Sequence, residues 1–244
     1  MIITKESLLS HDTIYIFGYG SLIWKPDIEY TKRFIAYLSG HERRFWQGSP
    51  HHRGNVQKPG RVLTLKQSPG GRVWGVVYEV KGKDKIKTAC DRLYVREQSI
   101  GCYDMKMLPV YSKDSAAFHG KPIPAIIYYA TPHNPNYTGD EGEEKIAKII
   151  ATSHGVSGHN IEYLFRLVDF MRESLPNESE PHLYTLDSLV RTKVGLCCKT
   201  PLSWRLLLQC DDRFRRIVGS GKENVRRTLS SEDEQNKSSM AVCT

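Results

Sequence analysis

The sequence predicts an α+β fold in which a curved or closed mixed β-sheet, barrel-like, carries helices packed on its outside. Three observations lead there. The first half of the chain is dominated by short β-branched and aromatic runs, one amphipathic helical pattern interrupts them, and after Pro132 the periodicity becomes helical. Regular alternation of strand and helix is absent, so a parallel doubly wound sheet is not expected. With 244 residues, 39% of them hydrophobic, the chain can bury a sizeable core in one domain.

The elements follow in order. Residues 14–17 (IYIF) read as a buried strand set directly against the turn Gly18-Tyr19-Gly20-Ser21. Residues 62–66 and 73–80 (VWGVVYEV) read as two strands, joined as a hairpin through Ser68-Pro69-Gly70-Gly71. Over residues 83–95, Ile86, Ala89, Cys90 and Leu93 keep the three-and-four spacing of an amphipathic helix that runs into Arg96-Glu97. Residues 105–111 and 123–130 return to strand character, with Pro109, Pro122 and Pro124 marking edges or bulges. In the second half, residues 140–152 and 161–175 are helical, the latter with Ile161, Leu164, Phe165, Val168 and Met171 on one stripe. Ser157-Gly158-His159-Asn160 supplies N-capping residues for it, and a further helix over 182–194 stops at Gly195. From Lys222 onward the chain is polar and Ser-rich, with too few apolar residues to pack, and is expected to be disordered.

Charge and cysteine usage bound the function. The net charge is +8, but residues 191–244 hold 11 basic against 6 acidic groups, so most of the excess is C-terminal. A basic tail can meet nucleic acid, an anionic membrane or an acidic partner, although such runs are ordinarily just solvated. No segment approaches the roughly 18 apolar residues of a membrane span, and residues 1–12 lack the layout of a secretory signal, so a cytosolic protein is expected. The six cysteines (Cys90, Cys102, Cys197, Cys198, Cys210 and Cys243) form no C-x-x-C pair and have no zinc-like spacing; they read as reduced thiols.

Three constellations carry chemistry. After the first strand, the N–H groups of Tyr19, Gly20, Ser21 and Leu22 can converge on a carboxylate or phosphate, since glycines permit positive φ and close approach; an ordinary Gly-rich turn between core strands is the simpler reading of these residues alone. Neither a dinucleotide fingerprint nor a phosphate loop is present. Residues 43–54 (RRFWQGSPHHRG) interleave cations and aromatics, which suits either polyanion binding or a strand with its arginines in solvent. Glu97 lies where a helix gives way to a loop; beside Arg96 it reads as a surface ion pair or as an acid–base catalyst.

In this order, FGYGSLIWKP (17–26), RRFWQGS with HRG (43–54), KPGRV (58–62), VWGVVYEV (73–80), YVRE…GCYD (94–104) and SGHNIEYL (157–164) resemble the ChaC family of γ-glutamylcyclotransferases over residues 13–195. The resemblance implies a γ-glutamylcyclotransferase-like catalytic domain over 13–195, flanked by an N-terminal extension (1–12) and a basic C-terminal one (196–244). It implies cytosolic cleavage of glutathione to 5-oxoproline and Cys-Gly, with no metal and no organic cofactor, no nucleic acid or membrane partner, and a monomer or homodimer. It further implies that Glu97 is the catalytic carboxylate, that Tyr19, Gly20, Ser21 and Leu22 form the substrate loop, and that Tyr163 stands at the pocket. Arg44 and Arg53 are candidates for the glycine carboxylate of glutathione from charge alone. The family often has two adjacent glycines before the tyrosine that follows its RE motif, where this chain has Gly101-Cys102.

Two other functions compete. One keeps the fold and mechanism but takes other γ-glutamyl amines or amino acids as substrate, because specificity lives in loops. The other is a binding protein with a vestigial site that engages an acidic partner through Arg213, Arg215, Arg216, Arg226 and Arg227.

Overall fold

The computed structural model describes residues 5–114 and 116–195. The basic tail with its five arginines, the expected disorder from Lys222 and four of the six cysteines lie outside the described residues. The chain divides into two compact units, the first built from residues up to Arg43 with Leu63–Asn134, the second from Arg44–Val62 with residues from Pro135 on.

Five strands make a closed barrel: β1 (Thr13–Gly18), β2 (Lys32–Ser49), β3 (Gly60–Lys81), β4 (Asp104–Ser112) and β5 (Ile123–Tyr129), in the order β1-β3-β2-β4-β5. The first unit holds β1, β4, β5 and the greater part of β2 and β3. β1 is antiparallel to β3, with Ile16 opposite Tyr78, and closes the barrel by a parallel pairing of Ile16 with Ile126 on β5. The sheet is therefore mixed, and closure leaves no open edge between first and last strands. Ile16, Phe17, Leu38, Leu63, Val77 and Ile126 are fully buried in it. All residues from Val73 to Val80 are buried, as the continuous apolar run of a strand covered on both faces requires. Glu79, inside that run, accepts from the Tyr15 hydroxyl at 3.3 Å and pairs with Lys81 at 3.3 Å.

The expected hairpin at Ser68-Pro69-Gly70-Gly71 does not form: β3 runs through it as one strand. Gly70 takes φ +77° inside the strand, and a Cβ on Gly71 would lie 2.5 Å from the His41 carbonyl oxygen on β2. The glycines thus permit a bend against a neighbouring backbone where the composition alone reads as a turn. Residues 43–49 are strand, so the interleaved stretch takes the strand reading, but Arg43 is buried with them rather than left in solvent. Pro109 and Pro124 face each other in the β4–β5 ladder and do not mark edges. An antiparallel ladder alternates hydrogen-bonded with non-hydrogen-bonded pairs, and only the latter accepts proline on both sides.

Two helices complete this unit. α1 (Lys5–Leu9) lies in the expected extension, buries Leu8 and pairs Lys5 with Asp91 of α2 (Lys83–Leu93). α2 buries Ile86, Ala89, Cys90 and Leu93, the stripe its spacing predicts. Cys90, buried on α2, is a free thiol.

The second unit packs α3 (Glu143–Thr152), α4 (Asn160–Ser174) and α5 (Pro181–Lys193) on one another, beside the short pair β6 (His154–Gly155) and β7 (Gly158–His159). α4 buries the predicted stripe of Ile161, Leu164, Phe165, Val168 and Met171. Its expected side-chain cap is absent: His159 precedes the helix without capping it, and Asn160 turns instead to residue 61. Asn160 Oδ1 accepts from the Arg61 N–H at 2.6 Å, and Nδ2 donates to the Arg61 carbonyl at 2.8 Å, so one amide serves as a strand partner. α5 starts at Pro181 and is followed by Gly195 at φ +71°.

Asn160→Ala is expected to lower stability by about 2–4 kcal/mol, because both backbone groups of Arg61 lose a buried partner; urea unfolding against the exposed control Thr192→Ala measures it. A second expectation concerns acid. His159 is pushed down to about 4, first by burial, then by His154 and Arg53, and burial likewise holds His182 below the usual histidine value. Both folded values lie below the unfolded value near 6.5, so the stabilisation is complete above about pH 6.5 and is lost as pH falls toward 4. Unfolding midpoints across that window should fall, and His159→Asn should flatten the slope.

Candidate active site

The turn after β1 is built by close approach. Neither Gly18 nor Gly20 takes positive φ, contrary to the reason expected for them. A Cβ on Gly18 would instead sit 2.5 Å from the Leu22 Cβ, so only glycine lets the chain fold back this tightly. Ser21–Ile23 form a 3-10 turn in which Ile23 N–H donates to the Gly20 carbonyl at 2.9 Å, and Lys25 N–H to Ser21 at 2.9 Å. The N–H groups of Ser21 and Leu22 precede Ile23, the first donor of that turn, and have no partner within it. Two buried tyrosines fix its ends. Tyr19 donates its hydroxyl to the Tyr128 carbonyl at 2.9 Å, and Tyr78 donates to the Leu22 carbonyl at 2.7 Å. The Tyr78 hydroxyl is pushed up to about 12, chiefly by burial, and stays a donor at neutral pH.

The acid enters from the other side. Where the sequence predicts α2 to run on, the last residues widen into a π-helical turn, Tyr94–Ser99, carrying Arg96 and Glu97. Such turns reorient side chains that a regular helix would send elsewhere. The loop beyond it closes on Glu97: Tyr103 N–H donates to the Glu97 carbonyl at 2.9 Å, and a Cβ on Gly101 would meet that carbonyl oxygen at 2.7 Å. The positive φ of this loop, 53°, falls on Cys102, a non-glycine residue.

The Glu97 side chain is 13% exposed. Arg96 Nε lies 3.0 Å from its Oε1, yet out of line for an N–H···O bond, so Oε1 is buried without a hydrogen-bond partner. Burial raises the carboxyl above its usual range; the charge of Arg96 lowers it and that of Asp27 raises it further. The same Arg96 donates from Nη2 to Ser21 Oγ at 2.7 Å, and from Nη1 to the Lys25 carbonyl at 2.5 Å and Asp27 Oδ2 at 3.0 Å. Acid and turn thus flank a single guanidinium. Arg96 and Asp27 were missed in the sequence, where Arg96-Glu97 reads as an exposed pair; the available signal was that an arginine beside a buried acid must find other acceptors.

Arg44, Arg53 and Tyr163 belong to the second unit. The Arg53 side chain is only 7% exposed, donates to Glu162 Oε2 and to the His159 carbonyl, both at 2.8 Å, and stands 5.8 Å over the Tyr163 ring. Its charge is matched inside the protein by Glu162. Tyr163 is buried edge-on to Phe45, and Arg44 lies 5.8 Å over the Trp46 ring. Among the described residues no group of three or more His, Cys, Asp or Glu is placed to hold a metal ion, and no helix is long and apolar enough to cross a membrane.

The chain is 43% identical over 187 residues, 77% of this chain and 82% of its relative, to the human glutathione-specific gamma-glutamylcyclotransferase 1. It is 31% identical, over 78% of this chain and 98% of the relative, to the glutathione-specific gamma-glutamylcyclotransferase of Schizosaccharomyces pombe. A crystal structure of a yeast gamma-glutamyl cyclotransferase specific to glutathione superposes with a TM-score of 0.67 at 31% identity, covering 75% of this chain and 97% of that one. The model of the ChaC-like protein family matches residues 14–193, which takes in all but the first residue of the barrel strands, the turn, Glu97 and helices α3, α4 and α5, and the chain belongs to that family.

Proposed function

We propose that this protein is a glutathione-specific γ-glutamylcyclotransferase, a cofactor-independent carbon–nitrogen lyase that converts glutathione to 5-oxoproline and Cys-Gly in the cytosol. The observation that carries the reading is a shielded carboxyl with a raised pKa, Glu97, held across one guanidinium from a turn with main-chain N–H groups outside its own hydrogen bonding. The family, and relatives whose names specify glutathione, support the substrate.

The reaction needs a base, an oxyanion site and an acid in turn. Glu97 takes a proton from the α-ammonium of the glutamyl group, freeing that nitrogen to attack the γ-carbonyl carbon. As the new C–N bond forms, the carbonyl oxygen gains negative charge, which the main-chain N–H groups of Tyr19 to Leu22 stabilise. The tetrahedral centre collapses by breaking the bond to the cysteinyl nitrogen, which receives the proton from Glu97. The ring nitrogen sheds its second proton as it becomes the lactam amide, and the freed amine of Cys-Gly takes up that proton as its ammonium. No water is consumed. Because the attack is intramolecular, positioning contributes much of the rate; well-oriented reactions of this kind gain about 7–11 kcal/mol.

Glu97→Gln is expected to lower kcat by about 10²–10⁴-fold with the fold retained. Formation of 5-oxoproline and Cys-Gly by the pure protein measures it, and wild-type activity in the variant would sink the proposal. γ-Glutamyl amino acids in the same assay decide the substrate class. A further expectation is that kcat/KM rises with pH through the Glu97 titration, since the ionised form is the base. A raised pKa places that acid limb above the free value near 4.3.

A further inference from the structure

The Arg96 guanidinium has more partners than a surface ion pair explains. Its side chain is 18% exposed, and it meets Ser21 Oγ, the Lys25 carbonyl, Asp27 Oδ2 and, out of line, Glu97 Oε1. Exposed pairs contribute about 0–1 kcal/mol and tolerate exchange of arginine for lysine. A planar fork that satisfies three fixed acceptors does not, because an ammonium cannot reach them in one geometry. The Asp27 segment is itself held firmly: Asp27 sits at φ +53°, uncommon for a non-glycine residue, and Arg92 donates to its carbonyl at 3.1 Å.

We propose that Arg96 and Asp27 form a positioning pair, in which Arg96 fixes the Tyr19 to Leu22 turn to the π-helical turn of Glu97 while Asp27 draws the guanidinium charge away from the acid. This rests on the cyclotransferase reading for its purpose, and on the contacts themselves for its existence. A guanidinium turned fully onto Glu97 would make it a permanent carboxylate, too weak a base and unable to return the proton. Asp27 Oδ2 occupies Nη1, and Ser21 occupies Nη2, leaving only an unaligned Nε beside Oε1. Arg92, also charged, donates to the Asp27 carbonyl at 3.1 Å, and two buried tyrosines and a thiol in this unit carry no charge at neutral pH. Tyr128 of β5 is raised by burial, then by Cys90 and Glu97; the Cys90 thiol of α2 is raised by burial; and Tyr78 of β3 is pushed up to about 12. Arg96 and Asp27 are therefore the charges that set Glu97.

The test uses Arg96→Gln, Arg96→Lys and Asp27→Asn in the full chain, with two readouts. The first is the titration of the Glu97 carboxyl by carbon NMR, assigned by difference from Glu97→Gln and independent of any substrate. The second is the pH dependence of kcat/KM, with KM and kcat resolved. Asp27→Asn, which tolerates positive φ, should move the Glu97 titration and the acid limb down by about one pH unit, and Arg96→Gln should move both up. Arg96→Lys keeps the charge and loses the fork, so it should leave the limb near wild type while kcat/KM falls about 10- to 100-fold through a looser turn. A merely structural role would lower activity in all three without opposite shifts. Titrations that do not move, or that move the same way in Arg96→Gln and Asp27→Asn, overturn the proposal, as does wild-type KM and kcat in Arg96→Lys. If the wild type yields no 5-oxoproline yet the opposite NMR shifts appear, the cyclotransferase reading fails and the positioning pair stands.

Discussion

A buried carboxyl with a cation beside it but not hydrogen-bonded to it is the constraint on which the rest of the first unit depends. Burial alone drives Glu97 toward the neutral acid, and full pairing with Arg96 would drive it to a fixed anion. A group that has to accept a proton and then release it needs neither extreme. The barrel supplies dry surroundings, the π-helical turn sets the angle, and the turn after β1 supplies the other acceptors that hold Arg96 off line. Removing any of these changes the acid without touching it.

The second unit shows the opposite solution with the same residue types. Burial would also raise Glu162, but hydrogen bonds from Arg53 and Arg166, at 2.8 Å each, bring it below its usual value and keep it charged. Two aligned guanidinium contacts outweigh burial there, whereas at Glu97 one misaligned contact does not, and burial decides the sign. Buried pairs of this kind add little net stability relative to apolar packing, yet breaking one leaves an uncompensated charge at a cost of about 3–5 kcal/mol. Their service is to specify geometry, as Asn160 does by holding both backbone groups of Arg61.

Helix faces were legible wherever one stripe met one core. Ile86, Ala89, Cys90 and Leu93 on α2, and Ile161 to Met171 on α4, are buried as their spacing requires, because period 3.6 is a local property. The turn residues of Ser68-Pro69-Gly70-Gly71 misled for a physical reason: glycine marks both a reversal and a bend pressed against a neighbouring strand, and only the neighbour, His41 here, tells them apart. Asn160 misled likewise, since a capping residue and a partner for a remote strand have the same side chain. Arg53 drew attention by its charge, and Glu162, lying 109 residues away, engages it.

The sequence by itself determined the residue types of the site, the amphipathic faces, the tight glycine turn and, through six blocks in order, the family. Those depend on local spacing or on the pattern along the chain. The tertiary structure alone decided that β1 closes the barrel through β5, that α2 widens to aim Glu97, and that Arg96 reaches back 75 residues to Ser21. Electrostatics explains the division, for the charge state of a carboxyl is set by the dielectric and by hydrogen-bond angles over a few ångströms, and these arise from contacts that no local stretch of chain encodes.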